Sequence, residues 1–529
     1  MKYTFKTIMA LICCALAFAC TDQLENEAVK SVITVDMTSI NEVAAQNPSD
    51  VSVTLTSNVT WIVETPSWVT ASKAYGHGDA ILTFAFATNY KNETTTTQPR
   101  SGVIKIMGGG SLTGDGVTLE IPVSQLGYTY VDPNAPIGNI PNVQEFVDFL
   151  KTIMAGNAPT RWTNDEGEVS LEADIDLTDV KYDWATHVVA VKNANNDCTI
   201  EGPAFSAVFN GNGHKITGFK PTVVLEANQT FGLFPAISGA VIKNVELTGE
   251  VNVSAIDQAD AGMLVGTALN STVKDVTVNG TIVSAGTATS KRLAIGGVVG
   301  FSACTESTAP TLIENATSNV DVDITGGTNL ANGAACAMYG GIVGFSTTPK
   351  NVEYKVTIKG CVNNGDMNVT LGRCAGILAT ANCGTTLDGC TNNGNQVNMI
   401  SNGRLGNIVC NVSLNCHLKD CVNNGDLEAT ADGYSGTVGG IFALAGDASS
   451  TIEGGGNYGT IKTLSSAGKY IGLLWANHNN TIPTSGLVAS GRIIVDGVER
   501  EITSANYMDH VGYIKNPASV TNVVWVAPK

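Results

Sequence analysis

The chain has 529 residues, of which 57 are glycine, 43% are hydrophobic and only 14% are charged, with a formal net charge of −18. That length exceeds what one core organises, so two or more domains are expected, and the apolar content excludes a disordered chain. The acidic balance excludes the basic footprint of a nucleic-acid binder and electrostatic adhesion to anionic lipid.

In chain order, Lys2 and Lys6 are followed by an apolar run from Ile8 to Phe18, of signal-peptide length and too short for a permanent membrane span. It ends in Leu16-Ala17-Phe18-Ala19-Cys20. Small residues just before a cysteine resemble the lipobox of bacterial lipoproteins. The resemblance implies a signal peptide over 1–19 and a diacylated mature N-terminus at Cys20, and two or more acyl chains anchor stably where one does not. Asp22, Glu25 and Glu27 in the following tether (20–31) resemble the acidic export signal of Bacteroidetes lipoproteins. That implies a lipid-anchored protein on the outer face of the outer membrane.

Residues 32–127 alternate in strand fashion, as in Val51-Ser52-Val53-Thr54-Leu55 and Val103-Ile104-Lys105-Ile106, which predicts a β-sandwich. Trp61, Trp68, Asn89, the segment Arg100-Ser101-Gly102-Val103 and the closing Val123-Ser124-Gln125-Leu126-Gly127 follow in an order similar to the BACON domain, an immunoglobulin-like module of Bacteroidetes surface proteins. Because both tryptophans alternate with apolar strand residues, they are expected to pack in the core, and the module to act as a spacer.

Pro133, Pro136, Gly138 and Pro141 mark a linker over 128–141. Asn142 as N-cap, Glu145 three residues on and Gly156 as a stop bracket a helix whose apolar face is Val143, Phe146, Val147, Leu150, Ile153 and Met154. This helix is expected to cover the open end of the strand array that fills 142–529. Trp162 and Trp184 beside it read as further capping residues, and Trp525 as a terminal strand packing residue.

The array shows itself as a repeat. Glycine-flanked apolar runs begin at Gly232, Gly262, Gly297, Gly341, Gly376, Asn407, Gly440 and Gly472, at steps of 30, 35, 44, 35, 31, 33 and 32 residues. Short β runs with Asn/Gly turns at this period predict a solenoid with no room for helices. Cys361, Cys390 and Cys421 recur at one repeat position, with Gly455 next, each cysteine opening a Cys-x-Asn-Asn-Gly step. Stacking then gives a buried cysteine ladder, and the Asn-Asn-Gly steps are expected to be turns with left-handed residues forming asparagine ladders. The segment Phe205-Ser206-Ala207-Val208-Phe209-Asn210-Gly211-Asn212-Gly213-His214-Lys215-Ile216 resembles the first coil of bacterial surface β-helices with GLUG-type repeats. That resemblance implies an all-β chain ending in a right-handed parallel β-helix.

For chemistry, no Cys-x-x-Cys pair exists, so no metal and no cofactor are expected. His214 and His478 have no nucleophile partner in any recognisable motif. Asp321, Asp323 and Asp388 fall at different repeat positions, Asp366 and Asp426 share one with Asn395 between them, and Arg373 and Arg404 stand alone. The reading is therefore non-enzymatic. Sugar recognition uses aromatic platforms with amides and carboxylates. Trp475 occupies a place read as that of Gly300, Gly344, Ala379 and Ala443, so it either fills the cap or faces a ligand, with Tyr470, Asn477 and His478 as companions. An anchored module pair of this kind resembles the glycan-binding proteins of Bacteroidetes polysaccharide-utilisation loci. Such proteins imply a polysaccharide or oligosaccharide ligand, a TonB-dependent transporter and neighbouring surface glycoside hydrolases as partners. An adhesin for mucin or cells, and a lyase or hydrolase with degenerate motifs, are the alternatives.

Overall fold

The computed structural model describes residues 30–528 except 93, 110–115, 131–134, 185–187, 194, 286–291, 325–336, 351–352, 370–371, 398–403, 430–435, 465–467 and 479–481. Cys20, the apolar leader and nearly all of the tether lie outside the described residues. The chain divides into two compact units between Ala135 and Pro136, inside the proline-containing stretch read as a linker.

The first unit is a β-sandwich. One antiparallel sheet runs Ile33–Val35, Val51–Ser57, Ala80–Phe86, Val69–Ala71 in spatial order. The other runs Ile40–Val43, Val117–Gln125, Arg100–Gly108, Thr60–Glu64, Tyr75–His77, antiparallel except for the pairing of its first two strands. Alternate residues of both sheets, among them Val53, Leu55, Phe84, Ile104 and Val123, are buried in a common core, as the period-2 pattern requires. Trp61 lies in that core, and its Nε1 donates to Gly78 O at 2.8 Å. Trp68 is half-buried beneath the guanidinium of Arg100, 4.7 Å from the ring centre. The closing motif has a structural purpose. Buried Gln125 donates to Ala44 O and Ala87 O and accepts from Arg100 Nε, so no polar atom of the amide is stranded. Asn89 ties Gln98 O to Leu126 O, and a Cβ on Gly127 would lie 2.1 Å from Thr97 O.

The second unit is a parallel β-solenoid of about eight turns with one helix. Four sheets form its walls, parallel throughout except that Ile493–Val495 pairs antiparallel with Val498–Glu499 in the fourth. Within a coil the chain passes through sheet I (eight strands, Thr230–Phe231 to Gly468–Gly472), then sheet II (nine strands, ending at Tyr513–Ile514). It continues through sheet III (eleven strands, ending at Val520–Thr521) to sheet IV (eighteen strands, ending at Val524–Trp525). The corner between sheets III and IV is one left-handed residue. Asn244 (φ 54°), Asp275 (φ 54°), Asn315 (φ 51°) and Asp420 (φ 51°) hold it in some coils and Gly360, Gly389 and Gly454 in others, the residue types for which that conformation is least costly.

The residue after this corner always points inward. Val245, Val276, Ala316, Cys361, Cys390 and Cys421 form one buried column, so the cysteine ladder is real. The Asn-Asn-Gly steps, however, are not left-handed turns; their first asparagines lie in strands Val362–Asn363, Thr391–Asn392 and Val422–Asn423, and the turn lies upstream at the corner residue. Strand alternation splits the two asparagines into two ladders. The first points inward, each Nδ2 donating to the next coil's Oδ1: Asn363 to Asn392 (2.8 Å), Asn392 to Asn423 (2.8 Å) and Asn423 to Asn457 (2.7 Å). The second points outward and runs from Asn279 through Asn319, Asn364 and Asn393 to Asn424, each amide donating to the preceding coil. Coils 4.8 Å apart put identical amides at hydrogen-bonding distance, which favours repetition of asparagine at one position.

The helix, α1 (Val143–Met154), is capped by the Asn142 side chain, which accepts from Glu145 N. Its buried residues are Phe146, Val147, Phe149, Leu150 and Ile153; Phe149 belongs to the face and Met154 does not. Phe149 stacks on Phe209 at 5.8 Å and meets Phe205, Phe234 and Trp162 edge-on, which places α1 over the first coils. Glu145 accepts from Arg161 and from Trp162 Nε1, and Trp184 packs edge-on against Phe219. No helix among the described residues is long and apolar enough to cross a membrane.

Candidate functional site

Strand register decides which side chains reach solvent. In sheet II, Trp475 pairs with Phe442, and that column continues through Val409, Leu378 and Val343. All of them face the interior. The place of Gly300, Gly344, Ala379 and Ala443 is taken by Ala476, one residue further on. The apparent alignment slips because Gly472 belongs to the column of Gly439 and Gly406, not to that of Gly440. One residue of slip turns a strand side chain to the opposite face. Trp475 is therefore wholly buried and stacked on Phe442 at 5.8 Å, and it cannot offer a ring to a sugar. His478 is likewise buried, with Nε2 against Thr484 Oγ1 at 2.9 Å. Both residues leave the candidate site for the core.

Tyr470 and Asn477 take the other face. Tyr470 pairs with Thr437, and Arg404 pairs with Thr437 in turn, so Met338, Arg373, Arg404, Thr437 and Tyr470 form one outward column of sheet I. Asn477 lies in the matching outward column of sheet II with Phe301, Phe345, Thr380, Asn411, Leu444 and Tyr513. These two columns face one another across a re-entrant corner. Its tightness is recorded by the corner glycines: a Cβ on Gly296 would lie 1.9 Å from Val299 O, on Gly406 2.2 Å from Val409 O, and on Gly472 2.0 Å from Trp475 O. The sharp fold between sheets I and II is thus why the repeat is glycine-flanked, and its outer side is a groove running along the solenoid axis. Bonds span its floor, from Arg373 Nη1 to Thr380 Oγ1 (3.4 Å) and from Arg404 Nη1 to Asn411 Oδ1 (2.7 Å).

The groove is filled at one end. The antiparallel hairpin of Val189–Lys192 and Cys198–Glu201 lies over it, bonded at its base to Asn228 and Thr230 and at its tip to Lys350 and Asn382. Ala190 and Cys198 pack there against Leu269, Phe301, Met338 and Phe345. Arg292 sits among them, within 5.1 Å of the Phe301 ring centre and 4.8 Å of that of Phe345, and its Nη2 donates to Asp260 Oδ2 at 2.6 Å. Burial holds the Asp260 carboxyl above the usual carboxylate range, with Arg292 opposing, and pushes the Cys198 thiol up to about 12.

Toward the C-terminal coils the lining changes to Arg404, Asn411, Leu444, Tyr470, Asn477 and Tyr513. Tyr513 is 46% exposed and Tyr470 half-buried, with their ring centres 5.2 Å apart. Asn477 Oδ1 is buried with no hydrogen-bond donor among the described residues. Paired rings of this kind suit a polyhydroxylated ligand, whose C–H face packs on aromatics. Sequence reasoning missed Asn411, Leu444 and Tyr513 and left Arg404 isolated. A signal was present, since Arg373, Arg404, Thr437 and Tyr470 all stand two residues before the corner residues Ala375, Gly406, Gly439 and Gly472. Among the described residues no group of three or more His, Cys, Asp or Glu is placed to hold a metal ion.

No family model matches the chain, and no curated protein matches it. Among solved structures, the periplasmic chaperone SfaE aligns at 11% identity and a TM-score of 0.16, covering 20% of this chain and 61% of its own. A proposed immunoglobulin A1 protease from Bacteroides ovatus aligns at 14% identity and a TM-score of 0.36, covering 74% and 84%. A Bacteroides ovatus GH5 xyloglucanase aligns at 9% identity and a TM-score of 0.14, covering 41% and 46%. None of these likenesses assigns a family or an activity. The chain is classed by its own architecture, a β-sandwich unit and a parallel β-solenoid with a partly filled outward groove.

Proposed function

We propose that the protein is a non-catalytic lipoprotein of the cell surface, anchored through Cys20, that captures a polysaccharide for a TonB-dependent uptake system and its neighbouring glycoside hydrolases. The observation that carries the reading is the C-terminal part of the groove, where the rings of Tyr470 and Tyr513 stand together with their centres 5.2 Å apart. The groove follows the solenoid axis, so an extended sugar chain can lie along it. The two facing columns supply one carboxylate among the described residues, Asp260, which is buried against Arg292. Glycosidic hydrolysis commonly uses two facing carboxyl groups. The lipobox-like and BACON-like segments supply the anchor and spacer of this reading.

The test is electrophoresis of the protein in native gels containing neutral plant, fungal and bacterial polysaccharides. Retardation by one glycan without loss of its viscosity is expected. Replacing both rings (Tyr470→Ala with Tyr513→Ala) should weaken binding about 30-fold, roughly 1 kcal/mol for each ring. Retardation that the double variant leaves unchanged would remove the groove from the reading. Depolymerisation of the glycan would make the protein an enzyme, and capture of mucin or cells with no glycan retarded would make it an adhesin.

A further inference from the structure

The hairpin that fills the N-terminal part of the groove lies lengthwise in it. Its base is tied to the early coils, where Ala190 N donates to Asn228 O at 3.0 Å and Thr230 N to Val188 O at 3.0 Å. Its tip is tied several coils further on, where Lys350 N donates to Asn195 O at 3.1 Å and Asn382 Nδ2 to Asn196 Oδ1 at 3.2 Å. Between these ties Ala190 and Cys198 are buried against the floor, and Ile200 packs beside them. An element bonded at both ends and packed along its length is a fixed plug, not a lid.

The register of sheet II shows what the plug covers and what it leaves. Phe301 and Phe345, stacked at 5.3 Å, lie beneath it with Arg292 against both rings. Thr380 follows in the strand Leu378–Cys383, whose Asn382 holds the tip. Asn411, Leu444, Asn477 and Tyr513 continue the column past that strand. From Asn411 to Tyr513 is three coil spacings of about 4.8 Å, roughly 14 Å in all. The Tyr470 and Tyr513 rings stand at the far end of this stretch, where Tyr513 is 46% exposed. The free part of the groove is thus a short trough with the hairpin tip as its end wall.

We propose that the groove selects chain ends: it takes the terminal segment of a polysaccharide lengthwise, with the last sugar against the hairpin tip and the preceding ones running out over Tyr470 and Tyr513. A terminal segment fills the trough and leaves the rest of the chain free. A chain bound at its middle meets the tip, has to lift off the floor there and gives up contacts, which is discrimination by obstruction. The inference rests on the glycan-binding reading of this groove and adds which part of the chain is recognised.

The experiment is calorimetric titration of the protein with the linear neutral glycans of the gel panel, among them β-mannan, inulin and amylose, each in a short and a long length class. The two ends of a sugar chain differ chemically, so the protein bound per mole of chain should stay at about one when the chain is lengthened about tenfold. Val189 and Glu201 pair across the hairpin base, so the residues between them can be replaced by a glycine turn. That variant should bind several copies per long chain. Stoichiometry that rises in proportion to length in the wild type would overturn the inference. So would a shortened variant that keeps the wild-type circular dichroism and still binds one copy per chain. Should excision unfold the protein, the wild-type stoichiometry alone decides. Gel retardation with length-proportional binding would leave the groove standing and remove only its end selectivity. Absence of both heat and retardation with every glycan would remove the groove reading and the end selectivity with it.

Discussion

The inner asparagine ladder provides a quantitative test of how the solenoid is held together. Asn392 is wholly buried; its Nδ2 donates to Asn423 Oδ1 at 2.8 Å and to Gly394 O at 2.9 Å, while its Oδ1 accepts from Asn363 Nδ2 at 2.8 Å. Asn392→Ala breaks all three bonds. It strands one N–H of Asn363 and the Gly394 carbonyl; Asn423 Oδ1 retains Gly425 N at 3.2 Å. A buried polar group left without its partner costs about 1–3 kcal/mol, so two such groups put the loss near 4 kcal/mol. The void cannot close easily, because the opposite wall is Gly376, so close that its Cβ would lie 2.0 Å from Asn392 Oδ1. The neighbouring residue, Asn393, makes the same kind of ladder bonds at 2.8 Å on the solvent side. Water replaces them there, so Asn393→Ala should cost less than about 1 kcal/mol. Urea unfolding followed by circular dichroism measures both. A pair of variants equally stable to within 1 kcal/mol would refute the claim that burial, and not amide stacking as such, gives the ladder its energy.

Trp475→Ala should destabilise the last coils by about 3–5 kcal/mol through the lost ring and its cavity, and any change in glycan binding should track unfolding; lower affinity with an unchanged midpoint would return Trp475 to the ligand site. The Arg161 guanidinium and the Trp162 indole hold the Glu145 carboxyl below its usual range, against the burial that raises it. A carboxylate depressed in the folded state adds stability above its unfolded pKa and loses it as pH falls through the folded value. Glu145→Gln should therefore cost about 1–2 kcal/mol at pH 7 and nothing once pH is below the carboxylate range, and a cost that persists in acid would contradict the assignment. Burial pushes the Cys198 and Cys416 thiols up to about 12 and raises those of Cys374 and Cys383; in Cys390 and Cys421 the neighbouring ladder thiol is the larger cause and burial adds to it. These six should resist iodoacetamide at pH 8 in the folded protein and react in urea, which mass spectrometry resolves residue by residue; modification of a ladder cysteine without unfolding would show that the wall opens.

The solenoid was legible because its period is a physical necessity. Stacked coils present the same environment at each level, so Cys361, Cys390 and Cys421, or Asp366, Asn395 and Asp426, recur wherever one local requirement recurs, and sequence spacing reveals it. The capped helix and the role of Trp61 followed equally from local rules, an N-cap and an alternating strand. The candidate site was only half legible. Tyr470 and Asn477 lie in the groove, whereas Trp475 and His478 turned out to be core, because the double glycines of Gly296-Gly297 and Gly439-Gly440 leave two possible alignments for the single Gly472, and a strand reverses its face with each residue. Hydrogen-bonded register between coils resolves that ambiguity. What closes the N-terminal groove depends on contacts between residues far apart in the chain, such as Asn196 with Asn382. Only the folded chain brings them together.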